Sequence, residues 1–116
     1  PKGLRAPVES REFRLKILAE DFRAAGTAVL DSLAEYAKEQ PGWSIAPDNC
    51  EGVRVNLDKA HGDGWFLLRL SLHDPILPLN IESDREHGAR TIARELAPFL
   101  AQQTEIDASS ALEFTL

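Results

Sequence analysis

Apolar and charged residues alternate near the start of the chain, where Phe13, Leu15 and Ile17 are separated by charged side chains. This period of two predicts a β-strand with one buried face. Behind Asp21, a good helix-capping residue, the apolar spacing lengthens to three or four residues and predicts a helix. Pro41-Gly42 ends that helix.

Two single residues add detail to this first half. Gly26 lies inside the predicted helix and costs it about 1 kcal/mol relative to alanine, which indicates a close approach of the helix to the sheet. Trp43 follows in a segment, residues 43–50, that we interpret as irregular. We expect Trp43 to cover the core rather than to serve as a platform for a ligand.

Three more alternating segments follow and predict three further strands. The middle one begins after Asp63-Gly64, a strong turn signal. Pro78 has no N–H for a sheet ladder, so the last strand is expected at a sheet edge or with a bulge. The segments are Val53, Val55 and Leu57; Trp65 to Leu70; and Leu77, Leu79 and Ile81.

The C-terminal part begins with Ser83-Asp84-Arg85-Glu86, which fits a capping box in front of a helix. Helical spacing then continues to Leu100. Beyond it, the alternation of Leu112, Phe114 and Leu116 is compatible with a short terminal strand.

The order β-α-β-β-β-α predicts an α+β fold: a small antiparallel sheet with two helices on one face, in a layout similar to that of the TATA-box-binding protein. We expect a linker over residues 1–9, one domain over residues 10–102 and a tail over residues 103–116. The absence of methionine and the Pro-Lys-Gly-Leu-Arg-Ala-Pro opening suggest a piece of a longer chain.

The net charge of −6 argues against nucleic-acid binding, which needs a basic surface. The single cysteine, Cys50, excludes an internal disulfide and is compatible with a reducing, cytoplasmic location. We interpret it as an inert thiol, because no base lies near it in sequence. No apolar run approaches the ~20 residues of a membrane span, so no membrane contact is predicted.

A polar segment between two apolar strands, Arg69 to Pro75, is the strongest candidate site. An arginine, a hydroxyl, a histidine and backbone N–H groups in one turn favour anion binding, most plausibly of a phosphate. Structural alternatives exist: Arg69 could pair with Asp74 or Glu82, Ser71 could bond its own turn, and His73 could simply fill an exposed position.

Other residues carry weaker signals. His61 and His87 lack the spacing of metal ligands, and we expect them at the surface. The acidic pairs Glu20/Asp21 and Glu82/Asp84 precede predicted helices, where the helix dipole explains them. The sequence contains no glycine-rich nucleotide motif and no nucleophile elbow.

Three segments resemble the C-terminal domain of the α-D-phosphohexomutase superfamily, which includes phosphoglucomutase, phosphomannomutase and phosphoglucosamine mutase. Family members have a G-V-[RK]-V strand, a D-G-W strand and a phosphate loop R-x-S-[GN]-T-[ED]-P. Leu72 and His73 stand where the family has a small residue and a threonine. The similarity covers about residues 50–100, and its motifs here are Glu51-Gly52-Val53-Arg54-Val55, Gly64 to Arg69, and Arg69, Ser71, Asp74 and Pro75.

The resemblance implies that Arg69, Ser71, Leu72, His73 and Asp74 form a substrate-phosphate-binding loop, with Asp74 shaping the turn. It implies a full-length intramolecular phosphotransferase that interconverts hexose 1- and 6-phosphates through a glucose 1,6-bisphosphate-type intermediate. A phosphoserine and Mg²⁺ in preceding domains would perform the transfer. This chain would then hold no catalytic residue, metal or cofactor, and would be inactive alone. Its partners would be the phosphosugar and the other domains.

The residues themselves leave a second class of function open. The same small α+β sheet could serve a non-catalytic binding or interaction module, in which the sheet contacts a partner and Arg69 is only structural.

Overall fold

An antiparallel sheet of six strands organises the computed structural model, which describes residues 6–47 and 51–116. The sheet order is β2-β3-β4-β5-β1-β6. Because the helices pack against this small antiparallel sheet, the predicted α+β class is confirmed. The elements are β1 (Glu9–Ile17), α1 (Phe22–Lys38), β2 (Trp43–Ala46), β3 (Gly52–Leu57), β4 (Gly64–Arg69), β5 (Ile76–Ser83), α2 (Gly88–Ala101), β6 (Ile106–Asp107) and α3 (Ser109–Phe114).

One face of the sheet is covered by the helices and forms the core. Alternate strand residues such as Leu15, Phe66 and Leu79 are fully buried there, against helix residues such as Leu33 and Ile92. The residues between them in the strands point to the opposite side, which we call the open face. Its side chains include Arg14, Lys16, Arg54, Trp65, Leu67, Arg69, Pro78 and Glu82.

Two packing predictions are confirmed. A Cβ atom on Gly26 would lie 2.7 Å from Leu70 Cδ1, so the glycine does permit α1 to approach the sheet closely. Trp43 is only 8% exposed. Its ring packs edge-on against Phe66, with a centroid distance of 5.2 Å, as expected for a residue that covers the core.

Two strand predictions are wrong. Residues 43–46 form β2 rather than an irregular segment, because they pair with β3 from Trp43–Leu57 to Ala46–Arg54. β5 lies inside the sheet, between β4 and β1, and not at an edge. The β4–β5 ladder ends at the pair Leu68–Leu79 and does not reach Pro78. Pro78 is tolerated there because its missing N–H is not needed for that ladder.

The start of α2 also differs from the prediction. Ser83 is the last residue of β5 and does not cap a helix. The N–H groups at the start of α2 are instead bound by the carboxylate of Glu9: Oε2 accepts from His87 N (2.9 Å) and Oε1 from Ala89 N (3.0 Å). A distant side chain therefore performs the role that the capping box was expected to perform.

The terminal segments show smaller differences. Glu9 already belongs to β1, so the predicted linker extends one residue too far, and residues 1–5 lie outside the described part of the chain. The tail contains a short strand at Ile106–Asp107. Leu112 and Phe114 lie in α3, so the prediction of a terminal strand at these two residues is wrong. None of the helices in the described ranges is long and apolar enough to cross a membrane.

Candidate anion-binding site

The predicted site, Arg69 to Pro75, consists of the last residue of β4 and the loop of residues 70–75 that joins β4 to β5, called the β4–β5 loop below. Both of its ends are held by backbone hydrogen bonds. Leu70 N donates to Glu51 O (3.0 Å) and Ser71 N donates to Ile76 O (3.1 Å). At the exit, Pro75 O accepts from Ile17 N (2.7 Å), so the loop is attached to β1 as well as to β3.

The tip of the β4–β5 loop contains two unused backbone donors. The N–H groups of Leu72 and His73 have no acceptor within residues 6–47 and 51–116, and both residues are exposed, Leu72 to 71%. Two adjacent backbone N–H groups without a protein acceptor are donors of the kind that bind anions at turns.

Arg69, the last residue of β4, has an unpaired guanidinium among the described residues. Neither alternative ion pair forms. Glu82 lies opposite Trp65, four positions further along the sheet, which separates it from Arg69 by roughly 13 Å. Asp74 makes no ion pair with Arg69 either. The guanidinium of Arg69, a half-buried residue, therefore remains free for a ligand.

Gly52 lies directly opposite Arg69 in the β3–β4 pair. A Cβ on Gly52 would meet Arg69 Cβ and Leu68 O, both at 2.8 Å. The glycine of the G-V-R-V segment therefore lets the end of β4 pass close to β3, and this contact helps to place Arg69.

Ser71 organises the turn, as the structural alternative predicted. Its Oγ accepts from Asp74 N at 3.4 Å, a long and therefore weak hydrogen bond. The hydroxyl proton is still available for donation, because this contact uses Oγ only as an acceptor. Phosphate contact by Ser71 thus stays a prediction.

His73 and Asp74 are exposed at the tip of the β4–β5 loop. In the described part of the chain, their side chains form neither an ion pair nor a hydrogen bond. The structure therefore gives His73 no structural role there that would compete with ligand binding. For both residues, participation in anion binding remains a prediction.

Arg23 is a residue of the site that sequence reasoning missed. Its Nη1 donates to Leu72 O (3.2 Å), and its Nη2 lies 3.2 Å from Glu51 Oε2. Arg23 stands in the first turn of α1, where the helix dipole disfavours a cation. That unfavourable position was the available signal that Arg23 has a partner outside its helix.

Two more cations lie near the β4–β5 loop on the open face. These are Arg14 and Lys16 of β1, which lie opposite Pro78 and Ile76 of β5 in the ladder. Lys16 also lies opposite Asp107 of β6, so its charge is offset there, and Arg14 and Arg69 are the cations of this part of the open face without a carboxylate partner in the described ranges.

The other sequence candidates do not form a competing site. His61 Nδ1 lies 3.3 Å from Oε2 of Glu95. The other carboxylate oxygen of Glu95, Oε1, accepts from Trp43 Nε1 (3.0 Å). The other ring nitrogen of His61 faces Asp58 at 4.0 Å, so its two carboxylate neighbours do not converge on one point. His61 is thus part of a packed polar cluster, and no group of three metal-ligating side chains occurs in the described ranges.

A surface cavity of about 220 Å³ lies between α1 and the turn after α2, away from the β4–β5 loop residues. It contains no cluster of charged groups; Glu105 is the one ionisable residue in its lining. Its walls are Ala25, Ala28, Val29, Ser32, Gln102, Gln103, Thr104 and Glu105.

Comparison with known proteins adds no constraint on the function of this site. No protein-family model matches the chain, and no curated protein sequence is significantly similar to it.

Proposed function

We propose that this chain is the C-terminal, substrate-phosphate-binding domain of a cytoplasmic phosphohexomutase of the phosphoglucomutase/phosphomannomutase type. In this proposal the β4–β5 loop binds the phosphate that does not react. The domain then closes the cleft over the substrate.

The observation that carries the proposal is the set of hydrogen-bond donors at the β4–β5 loop that no protein acceptor of the described residues satisfies. The N–H groups of Leu72 and His73 and the guanidinium of Arg69 have no protein acceptor in the described ranges. At the same time the loop is held firmly at Leu70, Ser71 and Pro75. A preorganised loop with free donors loses little entropy when it binds an anion, which favours affinity.

The arrangement of the resembling segments gives further support. Arg54 of the G-V-R-V segment and Trp65 of the G-W segment lie on adjacent strands, with the guanidinium 4.1 Å from the ring centre. β4 then leads directly into the β4–β5 loop. The segments that carry the resemblance are therefore neighbours in space as well as in sequence order.

In the full-length enzyme, remote phosphate binding would contribute to closure and to correct positioning of the reacting group. A clamp that recognises phosphate rather than sugar suits a bisphosphorylated intermediate that must present either phosphate in turn. The phosphoserine and the Mg²⁺ site belong to the preceding domains that the resemblance implies. Within residues 6–47 and 51–116, no group of three side chains suited to hold a metal ion occurs.

The direct test is a titration of the ¹⁵N-labelled chain with inorganic phosphate and with glucose 1,6-bisphosphate. We expect amide shifts centred on residues 69–75, and binding weakened about tenfold or more in Arg69→Ala, since a guanidinium binds phosphate through two hydrogen bonds. Arg54→Ala is the matched control, because it removes a cation from the same face and should retain the affinity.

Equal affinities in the wild-type chain and Arg69→Ala would contradict the proposal, as would shifts confined to another surface. In a full-length enzyme, Arg69→Ala should lower kcat/KM at least tenfold, by an amount on the order of one charge-assisted hydrogen bond. An unchanged kcat/KM would count decisively against the clamp.

A second candidate function is a non-catalytic interaction module. The observation in its favour is the open face, on which Trp65 and Leu67 are partly exposed and no helix of the described residues packs. A protein partner on this face would protect the amides of β4 and β5 but leave those of the β4–β5 loop unchanged. Phosphate-induced shifts at residues 69–75 would instead favour the first proposal.

A further inference from the structure

Arg23 and Arg69 approach the β4–β5 loop from opposite sides of the sheet. Leu70 faces α1, because Gly26 of α1 packs against its side chain. The preceding residue, Arg69, therefore points to the open face, since side chains alternate along a strand. Arg23 belongs to α1 and contacts the loop from the helix side.

The contact of Arg23 fixes the direction of one peptide group. Leu72 O, which accepts from Arg23 Nη1 (3.2 Å), belongs to the same trans peptide as His73 N–H. In a planar trans peptide the C=O and N–H bonds point in opposite directions. With the carbonyl held by the Arg23 guanidinium, the His73 N–H points away from that guanidinium, and Arg69 lies on the face of the sheet opposite to α1.

Glu51 holds Arg23 in this position. Its carboxylate is 3.2 Å from Arg23 Nη2, and its backbone carbonyl accepts the N–H of Leu70 (3.0 Å). The residue that precedes β3 is thus connected to both ends of the segment 70–72. Arg23 and Glu51 are each half exposed, so the pair is weak by itself and its main effect is on loop geometry.

We propose that Arg23 is a positioning residue for anion binding. By holding the Leu72 carbonyl, it aims the His73 N–H at the anion that Arg69 binds, while Arg23 itself remains on the helix side without touching the anion. This inference rests on the proposed phosphate-binding function of the β4–β5 loop.

The test compares Arg23→Ala with Arg94→Ala in the 116-residue chain. Arg94 is a matched control, because it is also an exposed helical arginine that donates to a backbone carbonyl, Thr115 O at 2.8 Å. In Arg23→Ala we expect a changed ¹³C shift of the Leu72 carbonyl and about three- to tenfold weaker inorganic phosphate binding, the worth of one exposed hydrogen bond. Arg23→Lys should recover part of the affinity, and Arg94→Ala should change neither.

Glu51→Ala separates positioning from simple electrostatics. Removal of a negative charge beside the loop should tighten phosphate binding if charge alone matters. It should weaken binding if Glu51 acts by holding Arg23. Tighter or unchanged binding in Glu51→Ala, or an Arg23→Ala chain with wild-type phosphate affinity, would overturn the inference.

The two levels of the proposal fail in different ways. A wild-type chain without any phosphate response overturns the proposed function and this inference with it. A wild-type response that depends on Arg69 but not on Arg23 leaves the proposed function intact and overturns only the positioning role.

Discussion

The two ends of the β4–β5 pair use their polar groups differently. At the end where β5 finishes, which we call the closed end, Ser83 is 1% exposed. Its Oγ donates to Gly62 O (2.6 Å) and accepts from Arg85 N (3.2 Å). At the other end, the β4–β5 loop leaves the N–H groups of Leu72 and His73 without an acceptor in the described ranges.

The closed end also contains an anion that the chain itself provides. The Glu9 carboxylate accepts from His87 N and Ala89 N, two nearby backbone donors at the start of α2. The β4–β5 loop presents a similar pair of donors, but no carboxylate of the described residues binds them. A pair of backbone N–H donors therefore has a structural role where the chain supplies the anion, and is free to bind a ligand where it does not.

Tight packing at the closed end should make it the most sensitive to substitution. A Cβ on Gly88 would lie 1.8 Å from Ser83 Oγ and 2.7 Å from Gly62 O. Gly88→Ala should therefore lower the free energy of unfolding by about 2–3 kcal/mol, because buried atoms must move apart. Urea unfolding measures this, and a folded Gly88→Ala chain should still bind phosphate. A loss below about 0.5 kcal/mol, the size typical of a surface substitution, would show that the closed end is less tightly packed than we describe.

The free donors of the β4–β5 loop, at the other end of the strand pair, predict stabilisation of the fold by an anion. Inorganic phosphate at ten times its Kd should raise the free energy of unfolding by about 1.4 kcal/mol, because it binds only the folded chain. Thermal unfolding in phosphate, against chloride of equal ionic strength, measures the effect. Arg69→Ala should remove it, whereas Glu9→Gln, at the closed end, should keep it. Equal stabilisation by chloride would point to a general salt effect instead.

The Glu9 carboxylate at the closed end predicts a pH-dependent contribution to the free energy of unfolding. The pKa of Glu9 lies below its usual 4.5, mainly because His87 N–H bonds the carboxylate, with help from Ala89 N–H and the charge of Arg11. A lowered folded-state pKa stabilises the fold above the usual value, and this stabilisation disappears as the pH falls through the folded-state pKa. Glu9→Gln should cost about 1 kcal/mol at pH 7, limited by solvent screening near the surface.

Unfolding of the wild-type and Glu9→Gln chains at pH 7 and at pH 3 is the corresponding measurement. The difference between the two chains should shrink at the lower pH. A difference that stays constant would mean that the hydrogen-bond geometry, and not the charge of Glu9, holds the start of α2.

Periodicity was sufficient to find four of the six strands in the described ranges (β1, β3, β4 and β5), the two main helices and the position of the β4–β5 loop, because these depend on neighbours in sequence. What it missed depends on distant partners. Glu9 and Ala89 are 80 positions apart, and Arg23 and Leu72 are 49 apart. β2 was missed for the same reason, since Trp43 to Ala46 become a strand only by pairing with β3.

The smallest predicted effect concerns the two possible roles of Ser71. Its Oγ accepts from Asp74 N at 3.4 Å, so Ser71→Ala should change the free energy of unfolding by less than about 0.5 kcal/mol. If the hydroxyl also donates to the bound anion, phosphate affinity should fall about two- to fivefold. Ser44→Ala, an exposed serine on β2, is the control for the loss of a surface hydroxyl. Phosphate affinity unchanged in Ser71→Ala would restrict Ser71 to shaping the turn and leave the anion to Arg69 and the free N–H groups.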